Sequence, residues 1–421
     1  MIVQTRNALL SIIEYAKNKI PYYKDILKFL EVDIRSMNIS DLLNAIPIIS
    51  KSQIKSNILS FISSEIDNNS LLEIVNLDKD YKKEYWYNVH DILLSAEYTS
   101  GSSGSPFLSI KSKNERLLLG NKLWKIRNKF SNIQPNEMFM FIHNFYGNDY
   151  PFPFDPPKEY NDRVIKEIEF LAKSNYKWWH ATTIRLEEYS IALMRNRFEF
   201  PNLCVIENNG TYISDEEKVK YCSIFDCKIA NNYGCREVWT IAYDCANGDL
   251  HVNEDNVYLE LVDENGSVIV EPNRIGNVVV TSLKQKIMPF IRYRLDDYAY
   301  YISGVCECGN SNKRIRLLPG RNLISGTNLY GNQYFKNIIL KLIKQYQVRN
   351  FESISIVQTD ESTFKINIKG NKESRDMIER NFIESAKSIL TNFRYSYIFS
   401  YNDNLDVKDL FSVKYSKSIV P

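Results

Sequence analysis

Between residues 114 and 206 the chain repeatedly changes its hydrophobic period, and that alternation restricts the fold more than any other feature. Asn114 to Phe130 repeats its apolar residues at helical spacing, whereas Met138-Phe139-Met140-Phe141-Ile142 is an unbroken apolar run of strand length. Helical patterns return over 162–174 and 184–197, and Leu203-Cys204-Val205-Ile206 again reads as a strand. Strands that alternate with helices in this way predict an α/β sheet whose ligands lie near the strand ends.

The flanks follow other rules. Leu9, Leu10, Ile12, Ile13 and Ala16 sit at helical spacing before a break at Ile20-Pro21, and the pattern stays helical to about residue 90. A second break falls at Ile46-Pro47, after which Ser50 or Ser52 can cap the next helix. From Leu250 to Val280 the chain alternates as strands around a turn at Asp263-Glu264-Asn265-Gly266. The end reads as a helix over 333–346, a hairpin of 351–357 with 363–369, a helix over 372–390 and a strand over 393–400. The expected architecture is therefore α/β: a large N-terminal domain of mixed sheets with flanking helices, plus a small C-terminal α+β domain. Its boundaries are 1–90 for the helical part of the large domain, 91–320 for the remainder, and 321–421 for the small domain.

With 421 residues, 44% of them hydrophobic, the chain can bury a large core. Its 53 basic and 51 acidic residues leave a net charge of +2, which gives no bulk attraction to nucleic acid or to a membrane surface. Met1 to Ala16 carries Arg6 and Glu14 within an apolar pattern, so it reads as an amphipathic helix and not a signal peptide. No stretch approaches the roughly 20 apolar residues of a membrane span. Seven cysteines without a secretory segment point to a reducing compartment, hence a cytoplasmic protein. The oligomeric state stays open, with a dimer among the options.

Chemistry concentrates first in Tyr98-Thr99-Ser100-Gly101-Ser102-Ser103-Gly104-Ser105-Pro106, which follows the strand-like run Ile92 to Glu97. Gly101 and Gly104 can take backbone angles that let consecutive N–H groups face one concavity, while Thr99, Ser100, Ser102 and Ser103 add hydroxyl donors. Such a turn suits phosphate, although the same composition also makes ordinary surface loops. A second constellation is Cys245 and His251 with Cys306-Glu307-Cys308-Gly309, four ligands suited to tetrahedral zinc; scattered thiols and a hydrogen-bonded histidine are the plain alternative. Cys204, Cys222, Cys227 and Cys235 read as small core residues.

The order T-S-G-S-S-G-S-P resembles the phosphate loop of adenylate-forming enzymes, with Phe107 where that family often has a lysine or threonine. Ile20-Pro21-Tyr22-Tyr23 and the Pro47 to Lys51 segment resemble the opening of its phenylacetate-CoA ligase branch and of capsule-biosynthesis relatives. Tyr233-Gly234-Cys235-Arg236-Glu237 is similar to the family's Y-G-x-T-E, with Arg236 in place of threonine. Met288 to Asp297, reading M-P-F-I-R-Y-R-L-D-D, resembles the family's l-P-l-I-R-Y-r-t-g-D and is the most specific match. Gly320-Arg321 is similar to the pair at the joint between the family's domains, with Leu323 where many members carry a hinge aspartate or lysine.

The resemblance implies ATP-dependent activation of a carboxylic acid to an acyl adenylate, followed by transfer to coenzyme A. Transfer to an amine, a hydroxyl or a carrier-protein thiol, and a nucleotide-binding pseudoenzyme, are the alternatives. It further implies that Thr99, Ser100, Gly101, Ser102, Ser103 and Gly104 hold phosphates, and that Asn232, Tyr233 and Gly234 lie against the nucleotide. Glu237 would hold Mg2+, Asp297 the ribose, Arg321 the ribose or phosphates, and Lys414 or Lys417 the reacting phosphate. His143, Tyr146, Trp179 and His180 would build the acyl pocket, whose aromatics imply an aryl or other apolar acid. The related ligases also show a cysteine–histidine arrangement like that of Cys245, His251, Cys306 and Cys308, which implies structural zinc.

Overall fold

The computed structural model describes residues 3–28, 34–76, 84–99, 107–142, 150–157, 160–194, 196–318, 335, 338–339, 351–360, 362–370, 375–389, 396–402 and 411–415. They fall into two compact units. One combines the described residues up to Lys129 with Tyr233–Leu318; the other combines Phe130–Asn232 with the described residues after Pro319.

The first unit opens with α1 (Val3–Lys19), whose Leu9, Leu10, Ile12, Ile13 and Ala16 are at most 3% exposed, as their spacing requires. Proline at the first position of α2 (Pro21–Leu27) costs no hydrogen bond, because that N–H has no partner within the helix. Tyr23 in α2 is buried, and its hydroxyl accepts from the amide of Ile291. After α3 (Ile39–Asn44), α4 (Lys51–Ser56) starts with a capping box in which Ser50, not Ser52, caps and Gln53 reciprocates. Helix α5 (Asn68–Asn76) completes this layer. The antiparallel sheet β1 (Tyr85–Val89), β2 (Ile92–Thr99) and β3 (Phe107–Ser112) follows, and β3 leads into α6 (Lys113–Ser131).

The second unit begins with the predicted alternation. Strands β4 (Phe139–Ile142), β5 (Trp178–Ala181), β6 (Val205–Asn209) and β7 (Lys228–Cys235) pair in parallel in that order. Helices α7 (Tyr160–Lys173), α8 (Thr183–Leu193) and α9 (Asp215–Phe225) make the connections. Strand β5 arises from aromatic residues that the sequence pattern left unassigned. Met140, Ile142, Trp179, Ala181, Ile206 and Ile229 bury one sheet face against Ile168, Leu171, Leu186, Tyr189, Tyr221 and Phe225 of the helices. Cys204 and Cys222 are exposed, contrary to the core role expected of them. Cys204 precedes β6 in a loop, and α9 buries Tyr221 and Phe225 at i, i+4, which turns Cys222 outward.

Returning to the first unit, β8 (Trp239–Asp244), β9 (Leu250–Val252), β10 (Val257–Val262), β11 (Val268–Ile269), β12 (Gly276–Ser282), β13 (Tyr293–Ile302) and β14 (Arg314–Leu317) form an antiparallel array ordered β11-β10-β12-β13-β14-β9-β8. Arg292, just before β13, is buried with a positive φ of 50°. Its guanidinium donates to Glu260 and to the carbonyl oxygens of Leu43 and Ile46, the last two at 2.8 Å. It therefore anchors the N-terminal helical layer to the sheet and is not the surface partner of Asp297 that its position would otherwise suggest.

The C-terminal module carries β15 (Phe351–Gln358), β16 (Thr363–Gly370), α10 (Arg375–Ile389), β17 (Ser396–Tyr401) and β18 (Phe411–Tyr415). The hairpin β15–β16 is antiparallel, and β17 and β18 add in parallel at its edges. Ile378, Phe382 and Ala386 of α10 cover Ile354, Ile356, Phe364, Ile366 and Ile368. Of the helix expected over 333–346, Phe335, Ile338 and Ile339 are described and helical. Among the described residues, no helix is long and apolar enough to cross a membrane.

Candidate functional site

The turn from β7 into β8 is determined by Gly234. A Cβ there would stand 2.2 Å from the carbonyl oxygen of Trp239 and 2.9 Å from its carbon, so only glycine lets the two backbones approach this closely. Trp239 itself has a φ of 62°. The resulting tight turn delivers Tyr233 and Glu237 to separate partners. Tyr233 donates its hydroxyl proton to Asp297 at 2.9 Å, bridging 64 residues of sequence. Glu237 is buried; it accepts from the Tyr293 hydroxyl at 3.1 Å and lies 3.5 Å from the Lys51 ammonium.

Lys51 also stands over the Phe107 ring, 5.0 Å from its centre. Phe107 is buried against Phe290 and Tyr293, so at this position an apolar side chain supports the strands. The Arg236 guanidinium donates to the Tyr98 carbonyl oxygen at 2.6 Å, and the buried Lys111 donates to the Arg236 carbonyl oxygen at 2.7 Å. Lys111 pairs in turn with Glu97 at 3.1 Å. The stem of the β2–β3 connection and the 233–237 turn are thus joined through charge-assisted bonds, which are stronger than neutral ones. Thr99 ends β2; Ser100, Gly101, Ser102, Ser103 and Gly104 lie outside the described residues, as do Arg321 and Lys417. Lys414 falls in β18, paired with Val357 of β15.

In the second unit, strand alternation sorts the expected pocket residues onto two faces. Trp179 points into the helix-covered core, edge-on to Phe200 and Phe225, and cannot share a sheet face with its neighbour His180. The face opposite that core carries Phe139 and Phe141 of β4, Trp178 and His180 of β5, and Glu207 of β6. Phe139 stacks on Trp178 at 4.7 Å, Phe141 meets His180 at 4.9 Å, and His180 Nε2 lies 3.5 Å from Glu207 Oε1. Asn232 of β7 directs its amide to Glu207 instead of being held by the backbone around it. His143 and Tyr146 lie outside the described residues. Sequence reading missed Glu207; counting alternate positions outward from His180 across the strands would have found it.

The thiol and imidazole cluster is assembled by two turns of the first unit. The φ values of Gly248 (82°) and Gly309 (75°) close turns whose amides bond back to the carbonyl oxygens of Cys245 and Cys306. The ligand atoms of Cys245, His251, Cys306 and Cys308 all lie within 4.8 Å of one another. Cys245 and Cys306 are 3.7 Å apart, and Cys308 Sγ is 3.5 Å from His251 Nε2. A tetrahedron with Zn–S bonds of about 2.3 Å has S–S edges of about 3.8 Å, and the shorter Zn–N bond contracts the mixed edge to about 3.5 Å. Two edges of the cluster therefore match those of a Cys3His zinc tetrahedron, and the donor set suits that metal. Burial holds His251 below the ordinary imidazole range, favouring the neutral form that binds metal. Its Nδ1 faces the Asn312 carbonyl oxygen at 3.1 Å, which leaves Nε2 for the ligand role.

No family model matches the chain. Among curated proteins it is 26% identical over 131 residues to a phenylacetate-coenzyme A ligase of Thermus thermophilus, covering 29% of this chain and 29% of that protein. It is 25% identical over 114 residues to a phenylacetate-coenzyme A ligase of Pseudomonas putida, covering 24% and 25%. The matched segments thus span under a third of those relatives. Among solved structures, a 2-hydroxyisobutyryl-CoA ligase in its postadenylation state superposes with a TM-score of 0.61 at 13% identity, over 99% of this chain and 89% of that one. The large sheet system, its flanking helices and the small C-terminal sheet module together make the fold that of the adenylate-forming acyl-CoA ligases.

Proposed function

We propose that the protein activates a carboxylic acid with ATP and transfers the acyl group to coenzyme A. One carboxylate oxygen attacks the α-phosphorus as the bond to pyrophosphate breaks; the coenzyme A sulfur then attacks the acyl carbon, and AMP leaves. Both partners of the first step are anions, so preorganised donors must offset their repulsion and hold them in line. The observation that carries the reading is the glycine-dependent turn that sets Tyr233 on Asp297 and buries Glu237 beside Lys51 and Tyr293.

In this reading Asp297 accepts from both ribose hydroxyls, as a carboxylate can, while Tyr233 both orients it and covers the base. Glu237 is the ligand for Mg2+, which when bound supplies charge neutralisation at the phosphates. Thr99 and the hydroxyls of Ser100, Ser102 and Ser103 hold the outer phosphates, Arg321 contacts the ribose or phosphates, and Lys414 or Lys417 contacts the α-phosphate. The 321–421 module turns between the two steps. Cys245, His251, Cys306 and Cys308 would hold a structural zinc, the protein supplying all four ligands. A cytoplasmic setting fits seven cysteines.

The rival reading, nucleotide binding without turnover, draws on Arg236, whose guanidinium is committed to Tyr98 where the resembling enzymes carry a threonine. Acid-dependent exchange between pyrophosphate and ATP separates the two, and thioester formation with free coenzyme A separates it from other acceptors. Exchange should appear with at least one carboxylic acid and disappear in Asp297→Ala; ATP binding without exchange across an acid screen would favour the rival.

A further inference from the structure

One face of the β2–β3 hairpin packs on the core through Leu94, Ala96, Leu108 and Ile110. The alternate positions, Ser95, Glu97, Ser109 and Lys111, are polar and yet at most 6% exposed. Register sets Glu97 opposite Ser109 and Ser95 opposite Lys111, so the four share one face. Lys111 is wholly buried, and taking an ammonium out of water is costly unless its protons find acceptors. Its Nζ carries three protons and meets three acceptors: Glu97 Oε2 at 3.1 Å, Ser109 Oγ at 2.8 Å and the Arg236 carbonyl oxygen at 2.7 Å. Glu97 does not depend on Lys111 alone, because Arg116 pairs with its other oxygen at 2.9 Å.

The shortest of the three bonds leaves the hairpin for the 233–237 turn. The Arg236 carbonyl belongs to the peptide that enters Glu237, and that unit is planar, so fixing its oxygen fixes the Glu237 nitrogen. The peptide that leaves Glu237 is held in the same way. Buried Gln285 donates its side-chain amide to the Glu237 carbonyl oxygen at 2.7 Å. Gln285 makes this bond although its own Oε1 is buried with no hydrogen-bond partner, a cost that leucine would avoid.

We propose that Lys111 and Gln285 are positioning residues that clamp the two peptide planes flanking Glu237 and so aim its carboxylate at the magnesium accompanying ATP. The inference rests on the reading of Glu237 as the magnesium ligand. A carboxylate oxygen suits this hard cation, which demands near-ideal octahedral geometry, so a ligand that drifts with its backbone binds it less well. Tyr293 and Lys51 steady the side chain; the two clamps steady the backbone that carries it.

The test reads binding and not turnover. N-methylanthraniloyl-ATP, followed by its fluorescence, is bound to the full chain and titrated with Mg2+, and the Mg2+ concentration at half-effect is compared among variants. Lys111→Met and Gln285→Leu should each raise that concentration by about 10–100-fold, the usual loss when a group orienting a metal ligand is removed. Excess Mg2+ should restore binding, and affinity measured in EDTA should stay at the wild-type value. Ser109→Ala removes another bond of the same buried ammonium without touching the turn, and should leave the half-effect concentration unchanged. Should Lys111→Met fail to fold, Gln285→Leu decides alone, since it also removes a buried unpaired acceptor. An unshifted half-effect concentration in either folded variant, or an equal shift in Ser109→Ala, would overturn the clamp and leave the ligase reading intact. A wild-type protein whose ATP binding ignores Mg2+ would overturn both.

Discussion

Gly234→Ala tests the turn on which the functional reading depends. The added methyl would meet the Trp239 carbonyl oxygen at 2.2 Å, whereas carbon–oxygen contacts in folded proteins begin at about 3.0 Å. The obstacle is backbone, which has no rotamer to adopt, so the β7–β8 turn must open by about 0.8 Å, the difference of those two distances. Overpacking of this kind costs about 1–3 kcal/mol. Because Tyr233 and Glu237 flank the turn, the same displacement is transmitted to the residues assigned to ribose and magnesium. A misplacement of about 1 Å reduces turnover by about 100-fold. Urea unfolding should therefore show a lower midpoint with an unchanged slope, and acid-dependent pyrophosphate exchange should fall by about two orders of magnitude. A variant with wild-type midpoint and wild-type exchange would refute both the closeness of the turn and its role.

Arg292→Met should be among the most damaging single changes: it strands buried Glu260 and the Leu43 and Ile46 carbonyl oxygens, for a loss of about 3–5 kcal/mol in denaturant unfolding. Cys308→Ser should lower the zinc content, measured by elemental analysis after dialysis, from near one per chain to well below half; equal zinc in both proteins would remove the site. Chelation of the wild-type protein should lower the melting temperature, and zinc should restore it. Lys414→Ala and Lys417→Ala, compared in pyrophosphate exchange, should differ by at least tenfold. Full activity in both would leave neither as the phosphate ligand.

Apart from β5, the strand–helix alternation over 114–206 could be read directly, because its helices keep their hydrophobic period over several turns and β4 and the 203–206 segment entering β6 are apolar runs of strand length. The gathering of Cys245, His251, Cys306 and Cys308 was legible from residue types with few substitutes, whereas 233–237 stood out only through its resemblance to the family's motif. Trp179 and His180 show where local reading stops. They are adjacent in sequence, and only the pairing of β5 between β4 and β6 decides that Trp179 is core while Trp178 and His180 face the other way.

The sequence by itself determined which segments could be strand or helix and which side chains were chemically able to bind phosphate, ribose or zinc. Tertiary structure alone decided that Tyr233 reaches Asp297 across 64 residues, that Arg292 pairs inward with Glu260, and that Glu207 and Asn232 meet at the end of an aromatic face. The physical reason is that period and propensity act over a few residues. Burial and hydrogen bonding between distant strands are set by register, and no short window of sequence contains it.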